Sequence, residues 1–138
     1  MEFIKSKTLK HPNLKHAFCL RSGGVSPDPY KSLNCSYYVG DQNINVKKNH
    51  ELILKTLNFE KSFSVKQVHS NKVVCAEDHF NKNAEIEADA IICKSFDLAI
   101  SVTTADCAPL LIFDRKELIV GAAHAGWKGA VKGITDNL

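Results

Sequence analysis

The sequence predicts an α/β or α+β fold built on a mixed β-sheet. Three observations carry this. Four short apolar runs rich in β-branched residues crowd the second half, at residues 90–93, 98–103, 109–113 and 118–123. Runs of that length suit strands buried on at least one face. Residues 43–57 instead repeat at the helical period, with Val46, Ile53, Leu54 and Leu57 on one face and Lys47, Lys48, Glu51 and Lys55 elsewhere. Finally, 138 residues with 44% hydrophobic and 24% charged composition are enough for one domain to close a core.

Taken in order, residues 16–20 (His-Ala-Phe-Cys-Leu) read as a strand. Residues 21–33 hold two glycines and two prolines, the mark of an ordered loop. The amphipathic helix over 43–57 follows. Residues 63–68 and 72–76 read as two strands joined by a Ser-Asn turn, which predicts a hairpin. The polar stretch 77–87 reads as a surface loop. Among the four later strands, Asp114-Arg115-Lys116 is the turn of a second hairpin. Gly126-Trp127-Lys128-Gly129 opens a helical stretch through Leu138 that reaches no Gly or Pro stop, as though cut inside an element. No repeat or linker interrupts the chain, so the expectation is a single domain over residues 1–138.

Composition narrows the function classes. No apolar run approaches the roughly 18 residues of a membrane span, and Met-Glu-Phe-Ile-Lys does not begin like a signal peptide. Of 18 basic residues only Arg21 and Arg115 are arginine, and the lysines are dispersed among acids. That pattern argues against a nucleic-acid surface. Five cysteines, with no Cys-x-x-Cys pair and no secretory signal, point to a reducing cytoplasm.

Three short segments could carry chemistry: Gln67-Val68-His69-Ser70, Thr103 through Pro109 around Cys107, and Ala123 through Gly129 around His124. All fall at strand ends, where sites tend to form. Two imidazoles and a thiolate from His69, Cys107 and His124 would make a zinc triad with a fourth position open, the pattern of a catalytic site. The separations of 38 and 17 residues match no local zinc motif. A lone His at a strand end is commonly a hydrogen-bonded structural residue. The same residues also permit a metal-free reading, with Cys107 as nucleophile, His124 as its base and Asp106 or Asn34 orienting the base. Arg21, beside Gly23 and Gly24, could approach a phosphate or carboxylate, or be an ordinary turn arginine. The backbone N–H groups opening the last helix offer a second place for an anion. His11, His16, His50 and His79 lie in polar or terminal settings and read as structural.

At these residues the chain resembles the bacterial laccase-domain proteins, also called the multicopper polyphenol oxidase family and read as zinc-dependent purine nucleoside phosphorylases. Six pieces match in order: Arg21–Ser26, Ser32–Asn34, Val39–Asp41, Gln67–His69, Thr104–Cys107 and His124–Gly129. The resemblance implies an α/β fold with a mixed β-sheet packed with helices in a layered sandwich, incomplete at the C-terminus. It implies His69, Cys107 and His124 as metal ligands and catalytic centre. The implied reactions are phosphorolysis of adenosine, inosine and S-methyl-5'-thioadenosine, and deamination of adenosine. Arg21, Asn34, Asp106 and Lys128 are the candidates for contact with nucleoside or phosphate. Zinc is the metal implied, with copper as the alternative, since a soft thiolate and two imidazoles suit zinc and six histidines are too few for a multicopper oxidase. Leu20, Cys35, Ser70 and Lys128 depart from the family's usual Thr, apolar residue, Gly and Arg, and Lys128 loses bidentate geometry. Members of the family continue through a second half with a Gly-Pro-Cys segment. The expectations that follow are self-association or a partner chain through the unfinished C-terminal side, or an inactive zinc-binding remnant.

Overall fold

A computed structural model describes residues 1–82 and 84–138. The chain forms two compact units, residues 1–60 and 61–138.

In the first unit, β1 (Phe3–Ile4) pairs antiparallel with β2 (Phe18–Cys19), and α1 spans Asn43–Leu57 as its periodicity predicts. The helix ends at Asn58, whose φ of 56° is left-handed and whose N–H donates to the carbonyls of Leu54 and Lys55. Asn tolerates that conformation better than most residues. The loop expected at 21–33 is wound around the buried side chain of Asn49. Its Oδ1 accepts from Val25 N at 2.8 Å, and its Nδ2 donates to Ser26 Oγ at 2.9 Å and Asn34 O at 2.8 Å. Asn49 thus supplies the backbone partners that an irregular segment lacks.

The second unit holds two sheets. β3 (Lys61–Phe63) pairs parallel with β6 (Leu98–Ile100). A four-stranded mixed sheet contains β4 (Val73–Cys75), β5 (Ala90–Cys93), β7 (Ala108–Asp114) and β8 (Ile119–Ala125), in the order β4-β5-β8-β7. β4 runs parallel to β5, while β8 is antiparallel to both β5 and β7. The hairpin predicted through Asp114 forms, with Asp114 Oδ1 accepting from the amides of Lys116 and Glu117 at 2.8 and 3.0 Å.

Strand alternation divides the apolar side chains between two faces. Val74, Ile91 and Cys93 join Phe63, Ala76, Ala88 and Leu98 in one core cluster. Ala90 and Ala123, one residue out of phase, join Ile134 in another. Ile134 belongs to α3 (Ile134–Asn137), so this short helix covers the second face. The class is α/β.

Four expectations are corrected. Residues 63–68 and 72–76 do not form a hairpin, because β3 takes β6 as its neighbour and β4 takes β5. The chain beyond β3 is drawn towards residue 103 instead, where Gln67 Nε2 donates to Thr103 O and Thr103 N donates to Gln67 Oε1, both at 2.7 Å. β6 ends at Ile100 rather than at residue 103. The final stretch is not one helix: α2 (Trp127–Val131) stops before Gly133, whose φ of 79° breaks the path ahead of α3. Gly adopts that conformation without steric cost. The polar loop expected at 77–87 opens with a 3-10 turn at Ala76–Asp78, and residue 83 lies outside the described residues.

Candidate metal centre

Four segments of the second unit converge at one end of the mixed sheet. The first is the loop carrying His69, which itself has a left-handed φ of 58°. That conformation costs a non-glycine residue about 1–2 kcal/mol and needs holding in place. The holder is Asp89, fully buried just before β5. Its carboxylate accepts from three successive amides: Val68 N at 3.2 Å, His69 N at 2.9 Å and Ser70 N at 2.6 Å. Ser70 Oγ adds a fourth bond at 2.8 Å.

The second segment is the end of β8, where His124 is 4% exposed and its N–H donates to Asp89 O at 2.8 Å. Its ring Nδ1 lies 2.9 Å from Asp89 Oδ1. Burial alone would raise the Asp89 pKa. The hydrogen bonds from His124, from the backbone and hydroxyl of Ser70 and from Val68 outweigh it, and hold the carboxyl below its ordinary value. The third segment leaves β6, is clamped at Thr103 by Gln67, and delivers Cys107 just before β7.

Donor atoms of His69, Cys107 and His124 all lie within 4.8 Å of one another, and among the described residues they form the one such group able to hold a metal ion. Cys107 Sγ lies 4.0 Å from His69 Nε2, and the two imidazoles meet edge to face with centroids 4.7 Å apart. Tetrahedral zinc with nitrogen and sulfur ligands asks for donors about 3.5 Å apart, so the set would have to close by at most about an ångström to hold one. Burial pushes the Cys107 thiol up, and the charge and hydrogen bond of Asp106 and the charge of Asp89 push it further. A bound cation reverses that balance and takes the thiolate. His69 is exposed and Cys107 half-buried, so the centre is reachable from solvent.

The fourth segment supplies clearance. A Cβ on Gly126 would stand 2.8 Å from His69 Cδ2 and 3.2 Å from Cys107 Sγ. Glycine there lets the backbone pass directly behind the donors.

The other sequence candidates sit as follows. Asp106 adjoins Cys107 and is exposed. Lys128 is exposed, with Nζ 5.6 Å from the centroid of the Trp127 ring. Arg21, in the first unit, forks Nε and Nη2 onto Lys31 O at 3.1 and 2.7 Å, closing its own loop. Asn34, in the same unit, donates to Ser36 O at 3.2 Å and Asp41 Oδ2 at 3.0 Å. His16 and His50 accept or share local hydrogen bonds with Ser6 N and Cys35 O, both at 2.9 Å.

Asp89 and Gln67 are the site residues that sequence reasoning missed as supports. Asp89 had a signal. It stands in Ala88-Asp89-Ala90-Ile91-Ile92, and a carboxylate entering an apolar strand must find partners. Asp106 or Asn34 is the expected orienting group for His124, but the ring lies against Asp89.

Residues 15–138 match the family described as multi-copper polyphenol oxidoreductase laccase. Proteins named purine nucleoside phosphorylase are among the relatives. One from Streptomyces griseus is 40% identical over 121 residues, covering 86% of this chain and 49% of that protein. One from Deinococcus radiodurans is 38% identical over 127 residues, covering 89% and 48%. A crystal structure of a Neisseria meningitidis protein superposes with a TM-score of 0.89 at 35% identity, covering 98% of this chain and 55% of that one. The chain thus spans about half the length of the curated relatives it matches. No helix among the described residues is long and apolar enough to cross a membrane. With the match running from residue 15 to the last residue, the chain belongs to the multi-copper polyphenol oxidoreductase laccase family.

Proposed function

We propose that this chain carries the zinc centre of a purine nucleoside phosphorylase, using His69, Cys107 and His124 as ligands. The observation that carries the reading is the convergence of those three donors within 4.8 Å in a chain whose relatives are named for that activity. One thiolate and two imidazoles form a donor set suited to zinc, with copper the alternative. Zinc, when bound with an open position, supplies Lewis acidity and a hydroxide near neutral pH. The proposed substrates are phosphate with adenosine, inosine or S-methyl-5'-thioadenosine, and deamination of adenosine is a further activity.

The chain's own residues divide the work. Asp89 and Gln67 hold the ligand loops, and Gly126 keeps the space behind the donors clear. Asp106 and Lys128 are proposed to contact nucleoside or phosphate, as are Arg21 and Asn34 from the first unit. Phosphate attack at the anomeric carbon needs a cationic partner for the anion, which Lys128 can offer. Five free cysteines, among them exposed Cys19, suit a reducing cytoplasm.

A second reading has its own support. The bond between His124 and Asp89 would also orient His124 as the base for a metal-free Cys107 nucleophile. The test is to purify the chain, measure bound metal, and assay inosine and adenosine with and without phosphate. One zinc per chain, lost on Cys107→Ser, with base released only when phosphate is present, is the expected result. Zinc without turnover identifies an inactive zinc-binding remnant. Absence of metal, with activity that survives a chelator and falls to thiol alkylation, replaces this reading with the cysteine hydrolase.

A further inference from the structure

We infer that Asp89 is a positioning residue that sets both histidine donors at once, fixing the ring tautomer of His124 and the backbone of His69. The inference rests on the metal-centre reading above.

The carboxylate faces five donors without any exposure to solvent. Oδ2 takes the Val68 amide at 3.2 Å, the Ser70 amide at 2.6 Å and the Ser70 hydroxyl at 2.8 Å. Oδ1 takes the His69 amide at 2.9 Å and faces Nδ1 of His124 at 2.9 Å. An ionised carboxylate only accepts hydrogen bonds. The nitrogen facing it therefore carries the proton, and Nε2 of His124 keeps its lone pair for the triad. Metal-binding histidines are commonly held this way through their second nitrogen. The same oxygen holds the amide of His69, whose left-handed φ of 58° aims the other imidazole. One buried oxygen thus governs two ligands that are 55 residues apart in sequence.

A purely structural acid would behave differently on substitution. Asp89→Asn is nearly isosteric. Its oxygen goes to the side with three donors, which leaves the amide NH₂ against His124 and deprives the His69 amide of its acceptor. A donor in that place forces His124 to accept at Nδ1, so the proton moves to Nε2 and blocks the metal position.

The experiment uses the full chain, metal-free and labelled with nitrogen-15. Long-range proton–nitrogen correlations read the tautomer of each histidine, and competition with a chromophoric chelator reads zinc affinity. Expected are an Nδ1–H tautomer for His124 in the natural chain, its switch to Nε2–H in Asp89→Asn, and zinc affinity lower by about 10–100-fold. Ser70→Ala removes one bond to the same carboxylate. It should lower the unfolding midpoint while leaving the tautomer unchanged and zinc affinity within about threefold. The inference is overturned if Asp89→Asn keeps the Nδ1–H tautomer with unaltered zinc affinity. An Nε2–H tautomer in the natural chain overturns it as well, even if the Asn variant does not fold. A natural chain that binds no zinc refutes the metal centre instead, and the tautomer switch still tests the hold of Asp89 on His124.

Discussion

Gly126→Ala separates the metal centre from the stability of the chain that carries it. The backbone at Gly126, with φ −66° and ψ 158°, is one that alanine adopts freely, so no backbone strain follows. A methyl group there would lie 2.8 Å from His69 Cδ2, closer than any real Cβ contact, and 3.2 Å from Cys107 Sγ. It would lie 3.5 Å from Cε1 of buried His124, an ordinary contact. The group that must yield is therefore the exposed His69 ring, which can swing outward at little cost. Removing the glycine also narrows the unfolded ensemble, a gain of about 0.4–1 kcal/mol. The metal-free chain should change in stability by less than about 1 kcal/mol, within the range of a tolerated site. Metal binding should suffer more, because donors that must close by about an ångström now meet a methyl wedge. We expect zinc affinity to fall at least tenfold, about 1.4 kcal/mol. Urea unfolding of the metal-free chain gives the first quantity and chelator competition the second. Affinity within about twofold of the natural chain would refute the clearance role. A stability loss above about 3 kcal/mol would show instead that Gly126 is a packing constraint.

Two further predictions concern the scaffold. Asn49→Ala strips the buried partner from Val25 N, Ser26 Oγ and Asn34 O, and should cost about 2–4 kcal/mol in urea unfolding; a loss under about 1 kcal/mol would contradict its role as the post of the 21–33 loop. Glu77 is held below the ordinary carboxylate range: burial opposes this, but bonds from the Cys75 thiol, its own amide and the Lys94 and Ser95 amides prevail. A depressed carboxyl adds stability that is present above its unfolded pKa and is lost as pH falls towards the folded value. The gap in unfolding midpoint between the natural chain and Glu77→Gln should therefore be widest near neutrality and shrink steadily below about pH 4.5. A gap independent of pH would contradict that account.

How far the sequence could be read depends on the range of each interaction. α1 is legible to the residue because its period, its acid-and-lysine face and the Asn58 stop are all local. The later strands are legible as apolar runs, within a residue or two at each end except at β6, which stops three residues before its run does. Pairing is not, because strand alternation states which face a residue takes and not which neighbour it meets. β3 finds β6 across 37 positions, Lys61 opposite Leu98, and beyond both strands a glutamine side chain bonds to the backbone of Thr103. Nothing near Gln67 announces that. The triad is legible because His69, Cys107 and His124 carry rare chemistry at strand ends and sit in motifs shared with a family. Asp89 stays hidden because an acid before a strand looks like the polar end of a loop. Only the folded chain reveals that it is buried and five times hydrogen-bonded.

The distribution of residues between the two units gives the proposed activity a separable structure. Every donor of the triad, and every group that holds a donor in place, lies between residues 61 and 138. Two of the four candidates for substrate contact, Arg21 and Asn34, lie in residues 1–60, where their side chains already close local loops. On the proposed reading, metal retention draws on the hydrogen bonds of residues 61–138. A change at Asp89 or Gly126 acts on metal content first and on turnover through it. Measuring metal and turnover side by side therefore distinguishes a zinc-binding remnant from a chain that has lost its metal. A single activity assay cannot, since a chain that holds its metal perfectly and a chain that has lost it would both read as inactive if the substrate wall were incomplete.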